Sequence, residues 1–482
     1  MLTVLKLAAP VMAAMLTQTF VNLFDTIVIG YLPTEYSIAG QAALGYSVIL
    51  HWMVGGFVGA ISVGTQAITA RRMGENNKLG AGQVLFNSAM IALVVGTVVS
   101  ILAAIYTRPL FKLFTSNEQV LAQGVPYCRA RFIGILGMVG TLSFKSFFDG
   151  LGKTHYHLVA AIIMNVVNMF LVYVLVFGAL GFPQMFVLGS GVGSCIASFV
   201  GLGVMMGYAL RRKYRIDFAI FRLRNFNWGI TKSIVKLSVP SGLATVAVMT
   251  GFLLFFKIVG LLDAATMGET GNAIENARIP WLYSVLPFGM SQESFIEVLH
   301  TRPPILEAAT KVLIDILSIS FMSCMGLGIA TATLVSQNLG RRQPDEAARY
   351  AWTAVRLGIV FTGLMGIIAL VFPDAFLGLF TQDQEVVEAG RTPLRIMGVA
   401  EFVMGMALVL TQALFGAGNT KFVLFTELTL HFLCLVPLSY ILGITAGLGI
   451  SGVFLAVATY VVLLATTMAW KFRSGSWKHI QL

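Results

Sequence analysis

One carboxylate stands out in this sequence because it falls inside a long apolar run. The run TQTFVNLFDTIVIG covers residues 17–30 and carries Asp25 towards its end. Gln18, Asn22 and Asp25 are spaced four and three residues apart, so on an α-helix, at about 100° per residue, they share one stripe. Polar atoms on one stripe can line a cavity or hold an ion. The spacing therefore predicts a cation- or proton-binding site on this helix.

The composition explains why a carboxylate in such a run is unusual. Hydrophobic residues make up 57% of the 482 residues and charged residues only 11%, whereas soluble domains carry roughly 25% charged residues. This composition indicates a polytopic membrane protein. The net charge of +11 would also suit nucleic-acid binding, but the basic residues collect between the apolar runs. We therefore expect no nucleic-acid partner.

Motifs of catalysis are missing from the sequence. There is no HExxH, no GxSxG and no Cys/His metal spacing, and the four cysteines are not arranged as CxxC. We expect no enzyme activity, no catalytic residue, no metal site and no cofactor other than a coupling ion, H⁺ or Na⁺.

Apolar runs long enough to cross a bilayer, about 20 residues each, recur twelve times. Lipid satisfies no backbone hydrogen bond, and the strands of a β-barrel would alternate polar and apolar residues, so the runs are expected to be helices. The predicted fold class is an all-α polytopic membrane protein with twelve transmembrane helices. The predicted spans are 7–30, 44–70, 82–106, 126–149, 156–178, 188–210, 238–261, 310–339, 350–372, 394–416, 420–443 and 448–470.

The basic residues predict an orientation. With both termini in the cytoplasm, the cytoplasmic segments hold most of the Lys and Arg residues, including the block at 211–236. The outer segments hold fewer, and we place Arg129 and Arg131 among them. The positive-inside rule favours this orientation. We expect a multi-pass protein of the cell inner membrane with both termini cytoplasmic.

The two halves of the chain resemble each other. LFTSNEQVLAQG at 113–124 resembles LFTQDQEVVEAG at 379–390, and GLGKT at 150–154 resembles GAGNT at 416–420, both with an offset of 266 residues. Gly74 and Gly340 share this offset. The pattern indicates an internal duplication.

A second offset locates an insertion. KLAAP at 6–10 matches KLSVP at 236–240 with an offset of only 230, so the second half carries extra residues within about 262–307. The predicted organisation is two six-helix lobes and a linker. Two such lobes suit alternating access, in which one bundle rocks against the other. The predicted boundaries are 1–210 for the N-terminal lobe, 211–236 for the basic linker and 237–482 for the C-terminal lobe with its outer insertion.

With these features the sequence resembles the multidrug and toxic compound extrusion (MATE) transporters. The resemblance covers nearly the whole chain except the outer insertion. It implies two six-helix lobes around a V-shaped cavity, and export of small organic cations or amphipathic drugs driven by proton or sodium entry. It further suggests a monomer surrounded by membrane lipid. The matching features are Pro10 followed by FDTIVIG, the paired segments 58–77 and 327–347, the GLGKT and GAGNT endings, and LVFGALGFP at 175–183.

The resemblance also suggests roles for individual residues in the first lobe. In the family, the Asp of span one takes part in cation or proton binding together with polar residues of span five. Here Asn165 and Asn168 could supply side-chain oxygens to Asp25. Many relatives carry a second Asp where this chain has Val172, which weakens a sodium site and suits a proton better. The sequence is compatible with either coupling ion, H⁺ or Na⁺.

Ionisable residues in the second lobe form a further candidate group. The offset of 230 places Phe255 opposite Asp25, and Lys257 lies two residues on. This lysine could pair structurally with a carboxylate, or the acids could form a second coupling site. Glu427 and His431 are four residues apart and so share one face of a helix. The candidates in this lobe are Lys257, Asp315, Glu401, Glu427 and His431.

Two further interpretations concern buried basic residues. Lys145 and Asp149, four residues apart, predict an ion pair near the inner face.

A lipid-linked oligosaccharide flippase of similar architecture is the alternative function, and it would need several basic groups in its cavity for a pyrophosphate. Once the charges that we assign to the inner and outer segments are set aside, two bases, Lys145 and Lys257, remain against four acids, so we expect the cavity to favour cations.

Overall fold

The computed structural model describes residues 1–114, 117–220, 222–266, 305–381 and 383–481. Over these ranges, twelve helical segments are long and apolar enough to cross a membrane. This confirms the predicted fold class and number of spans. Several segments are longer than predicted, for example Ala39–Gly74 and Ile305–Gly340. The predicted outer insertion lies largely outside the described residues.

The helices are numbered in chain order, and we refer to α1–α9 as the first lobe and α11–α18 as the second lobe. The first lobe contains α1 (Leu2–Gly30), α2 (Thr34–Gly59), α3 (Ile61–Gly74), α4 (Lys78–Ile105), α5 (Thr107–Lys112), α6 (Glu118–Ile133), α7 (Ile135–Gly150), α8 (His155–Phe177) and α9 (Phe186–Leu210). The short helix α10 (Arg212–Asp217) lies in the linker. The second lobe contains α11 (Trp228–Thr266), α12 (Ile305–Gly340), α13 (Pro344–Val371), α14 (Pro373–Gly378), α15 (Gln384–Ala417), α16 (Thr420–Leu430), α17 (Val436–Tyr440) and α18 (Gly449–Arg473).

The duplication extends to how equivalent helices begin. Asn117 caps α6 by accepting hydrogen bonds from the backbone N–H groups of Gln119 and Val120. Asp383, 266 residues later, caps α15 by accepting one from Glu385. A side-chain oxygen at this position satisfies an N–H group that has no partner within the helix. Both halves therefore use the same local signal to start the same span.

The first helix of each half packs into the other lobe. Val4 and Ala8 of α1 join a buried cluster made largely of second-lobe residues. Ile234 and Leu237 of α11 join the core of the first lobe. Because this exchange is reciprocal, the two lobes share hydrophobic cores on both sides of their interface.

The lobes are sealed together at one end of the bundle, which we call the terminal face and define by Gly74, Gly340 and Trp477. The backbones of Gly74 and Gly340 approach so closely that a Cβ on Gly74 would lie 3.0 Å from the Cα of Gly340. A Cβ on either residue would also collide with a backbone carbonyl, of Gln337 or Arg71 respectively. The duplicated glycines therefore meet where only hydrogen fits.

Polar side chains tie α3 and α7 to α12 at the same end. The Gln66 amide donates to the Ile329 carbonyl and to the Thr333 hydroxyl, both at 2.8 Å. Three further hydrogen bonds cross between the lobes there: Ser336 to the Ala67 carbonyl at 2.7 Å, Gln337 to the Gly150 carbonyl at 2.8 Å, and Thr333 to the Asp149 carbonyl at 3.0 Å.

The linker is fixed to the first lobe by one buried amide. Asn87 of α4 donates from Nδ2 to the Asn225 carbonyl at 2.9 Å. Its Oδ1 accepts from the Asn227 backbone N–H at 3.0 Å and from the Thr231 hydroxyl at 2.9 Å. Asn87 is fully buried, so these bonds are shielded from competing water.

Candidate functional site

The first-lobe site is centred on Asp25 of α1. Its side chain is only 4% exposed, and Oδ1 has no hydrogen-bond partner in the described part of the chain. Two groups of neighbouring helices affect the carboxylate electrostatically: the hydroxyl of Ser190 on α9 and the guanidinium of Arg131 on α6. No described basic group lies within ion-pair distance of Asp25, 4.0 Å. A buried carboxylate in this state can take up a proton or a cation.

Amides of α8 lie in the same lobe. Asn165 donates to the Thr17 hydroxyl of α1 at 2.9 Å, and Asn168 donates to the Ser194 hydroxyl of α9 at 3.0 Å. Both asparagines are buried, and Oδ1 of Asn168 has no hydrogen-bond partner among the described residues. The first lobe thus holds two buried oxygens, on Asp25 and Asn168, that can accept a further bond.

The predicted stripe on α1 is divided between a buried and a less buried part. Asp25 is buried, Gln18 is half-buried and Asn22 is exposed. Three residues along a helix turn the side chain through about 300°, which leaves Asn22 some 60° away from Asp25. Asp25 is therefore buried near groups of α6 and α9, whereas Asn22 is exposed.

The placement of Arg131 in an outer segment is wrong. The residue lies within α6, and its Nη1 donates to the Tyr127 hydroxyl at 3.2 Å and to the Ser194 hydroxyl at 3.5 Å. Its electrostatic effect reaches Asp25. The signal was present in the sequence, because Arg131 falls inside the predicted span 126–149 and four residues after Tyr127. That spacing stacks the two side chains on one helix face.

A second polar cluster lies in the other lobe, around Glu427 of α16. The Tyr460 hydroxyl of α18 donates to Glu427 Oε2 at 2.8 Å, and His431 Nδ1 lies 3.3 Å from the same oxygen. The rings of His431 and Tyr460 meet edge to face, with centroids 4.6 Å apart. Tyr460 carried no sequence signal, because it is 33 residues from Glu427 and only packing brings them together.

The other second-lobe acids occupy separate places. Asp315, one of the possible partners of Lys257, forms an ion pair with Lys311 at 3.1 Å, one helical turn earlier. Glu401 is 2% exposed, and neither of its oxygens has hydrogen-bonding geometry to a described residue, although Ser320 faces it from α12. Lys257 is half-buried on α11. The candidates of this lobe therefore do not form one cluster.

The predicted pair of Lys145 and Asp149 is confirmed. Their charged atoms lie 3.8 Å apart, and His157 Nδ1 lies 3.8 Å from the same Asp149 oxygen. All three side chains are buried. Since the Asp149 carbonyl accepts from Thr333 across the lobe interface, this cluster supports the seal at the terminal face.

The MatE family model matches residues 10–174 and 298–441, well over half of the chain. This chain belongs to the MatE family. MatE proteins, the MATE transporters, are transporters and not enzymes, and this member is a multi-pass membrane protein.

Individual relatives and solved structures are similar to this MatE protein over nearly the full length of both chains. The probable multidrug resistance protein NorM of Thermotoga maritima is 24% identical, covering 98% of this chain and 92% of its own. A solved outward-facing multidrug resistance MATE transporter of the MOP superfamily superposes with a TM-score of 0.83, at 18% identity over 99% and 96% of the two chains. A MOP superfamily transporter from Pyrococcus furiosus gives 0.82, also at 18% identity over 99% and 96%. The solved structures share the fold.

Proposed function

We propose that this MATE transporter exports small organic cations or amphipathic drugs across the cell inner membrane, in exchange for protons or sodium ions that bind at Asp25. The main support for this proposal is the buried Asp25 carboxylate, whose Oδ1 has no hydrogen-bond partner among the described residues. A charged side chain in the membrane interior costs at least about 2.5–3.5 kcal/mol. A binding and release role accounts for keeping it there.

The interface between the lobes supports an alternating-access mechanism. The lobes are closed at the terminal face by backbone contact between Gly74 and Gly340 and by the hydrogen bonds around Thr333. With both termini cytoplasmic, as the basic residues favour, this closure lies on the inner side. Transport requires that these bonds break when the inner side opens, and ion binding at Asp25 would bias that equilibrium.

Drug substrates are favoured by the relatives and by the buried charges. Several relatives are named multidrug resistance proteins. The alternative, an oligosaccharide flippase, requires free basic groups for a pyrophosphate. Lys145 is instead engaged with Asp149 at 3.8 Å, and Arg131 donates to the hydroxyls of Tyr127 and Ser194. We further propose that the protein works as a monomer in contact with lipid.

The function is tested by drug efflux from proteoliposomes under an imposed proton or sodium gradient. We expect Asp25→Asn to reduce ion-driven efflux at least tenfold, because the amide cannot release a proton or offer a charge to a cation. The matched control is Asp217→Asn, which makes the same chemical change on α10, outside the spans. Wild-type rates in Asp25→Asn would refute the role of Asp25.

A further inference from the structure

The segment that joins the two lobes carries a strong excess of positive charge. Residues 211–236 contain eight basic side chains and a single acid, Asp217, which pairs with Lys78 of α4 at 3.7 Å. We define the linker surface by exposed basic residues of α10 and of the start of α11: Arg212, Lys213, Arg215, Lys232 and Lys236. Within the described chain none of these five forms an ion pair, so the linker surface can attract anions from outside the protein.

The helix α10 is held against the first lobe by aromatic side chains. Tyr214 of α10 and Phe218, which follows this helix, are both buried. The ring of Tyr214 lies 5.3 Å from that of Phe148, and the ring of Phe218 lies 5.5 Å from that of Phe147, measured between centroids. The basic residues of α10 are therefore presented on a fixed helix. Ile216 is 60% exposed, so an apolar side chain accompanies them.

The exposed side of α11 indicates the depth at which the linker surface lies. Trp228, Lys232 and Lys236 are four residues apart and share one side of this helix, which Val239 and Leu243 continue. Trp228, Val239 and Leu243 are 69%, 42% and 44% exposed. Because Val239 and Leu243 lie within the span Trp228–Asp263, they are expected to contact lipid hydrocarbon. The two lysines begin about 10–16 Å before Leu243 along the helix axis, which places them at the level of the lipid headgroups, where Trp and Lys side chains are favoured.

The headgroup of an anionic phospholipid matches this surface in chemistry. Lys and Arg side chains bind phosphate oxygens through charge-assisted hydrogen bonds. Each basic residue close to an anionic membrane surface raises the affinity about fivefold. A free phosphate or a nucleic acid would leave the exposed Ile216 and Trp228 without an apolar partner, whereas a membrane offers acyl chains next to its phosphates. The observations therefore favour a lipid over a soluble anion.

We propose that the linker surface binds the headgroups of anionic phospholipids. With both termini cytoplasmic, as proposed above, these lipids belong to the inner leaflet. The linker is fixed to the first lobe through Asn87, and α11 leads into the second lobe. A bound headgroup therefore contacts the segment that connects the lobes, and the transport rate is expected to depend on lipid composition. This binding site goes beyond the proposed export function and does not require it.

Native mass spectrometry of the purified full-length protein tests this proposal, because it counts lipids that are bound to the intact chain. Wild type is titrated with phosphatidylglycerol and, for comparison, with zwitterionic phosphatidylcholine. We expect phosphatidylglycerol to bind at least fivefold more tightly. The variant Lys232→Gln/Lys236→Gln keeps the apolar residues of α11, and we expect it to bind phosphatidylglycerol at least fivefold more weakly than wild type.

Arg341→Gln/Arg342→Gln is the matched control, since it removes the same charge from the terminal face. Both arginines are exposed, but residues 322–359 contain no exposed large apolar side chain that could enter a membrane. We expect this variant to bind phosphatidylglycerol like wild type. Equal binding of the two lipids by wild type would overturn the inference, and so would unchanged phosphatidylglycerol binding in Lys232→Gln/Lys236→Gln. An equal loss in the control variant would also overturn it, because the effect would then be one of net charge.

Inorganic phosphate tests the other source of the anion. An excess of phosphate over phosphatidylglycerol is expected to displace little lipid from wild type, because phosphate gains nothing from Ile216 and Trp228. Complete displacement would show that the linker surface recognises a soluble anion and would overturn the inference. These measurements require no transport, so a failure of the efflux assay would refute the proposed function alone.

Discussion

The close approach of Gly74 and Gly340 gives a prediction about the seal at the terminal face. In Gly74→Ala, the added Cβ would lie 2.9 Å from the carbonyl carbon of Gln337 and 3.0 Å from the Cα of Gly340. Carbon atoms prefer separations of about 3.5–4.0 Å. The helices α3 and α12 must therefore move apart by roughly 0.5–1 Å.

This displacement determines the energetic cost. The Ser336–Ala67 and Gln337–Gly150 hydrogen bonds measure 2.7 and 2.8 Å. The added separation would stretch them beyond about 3.2 Å, the usual limit for such bonds. At about 1 kcal/mol for each bond, their loss costs about 2 kcal/mol. That shifts the population of the sealed state roughly thirtyfold, since 1.4 kcal/mol is a factor of ten.

Hydrogen exchange followed by mass spectrometry measures this shift directly. We expect faster exchange in Gly74→Ala over α3 and the end of α12 that lies at the terminal face. The control is Gly203→Ala on α9, where an added Cβ meets no atom within 4 Å. Equal protection of α3 and α12 in the two variants would show that the contact between the glycines does not hold the seal.

Three further predictions concern buried charges. Asp149→Asn should destabilise the protein by about 3 kcal/mol, seen as a lower thermal midpoint, because Lys145 stays buried without its carboxylate; adding Lys145→Met should recover most of the loss. Tyr460→Phe should cost about 1.5–3 kcal/mol of stability, since Glu427 loses a 2.8 Å hydrogen bond, and an unchanged unfolding midpoint would contradict this. Glu401→Gln should raise the thermal midpoint, because it removes an ionisable group that is 2% exposed; a fall would indicate that the carboxylate stabilises the fold.

What could be predicted from the sequence were features with a local signal. Length and apolarity defined twelve spans, and the spacing of four residues defined the Lys145–Asp149 pair. A single helix fixes the relation between such residues, whatever it packs against. The burial of Asp25 followed in the same way, from a charge within an apolar run.

Features that depend on contacts between helices could not be predicted. Tyr460 reaches Glu427 only because α18 packs beside α16, and Arg131 meets Ser194 only because α6 packs beside α9. The difference in burial between Asp25 and the residues Gln18 and Asn22 likewise depends on how α1 is rotated against its neighbours. Helical periodicity gives relative angles along one helix, and it does not say which side faces the site.

The attachment of the linker to Asn87 has a mechanical consequence. Asn225, Asn227 and Thr231 all bond to this one amide of α4. The basic segment is therefore expected to move together with the first lobe. A hinge for the second lobe must then begin beyond Thr231, inside α11. Pro240 interrupts the backbone hydrogen bonding of that helix. Bending of α11 at Pro240 would therefore determine how far the second lobe tilts relative to the first.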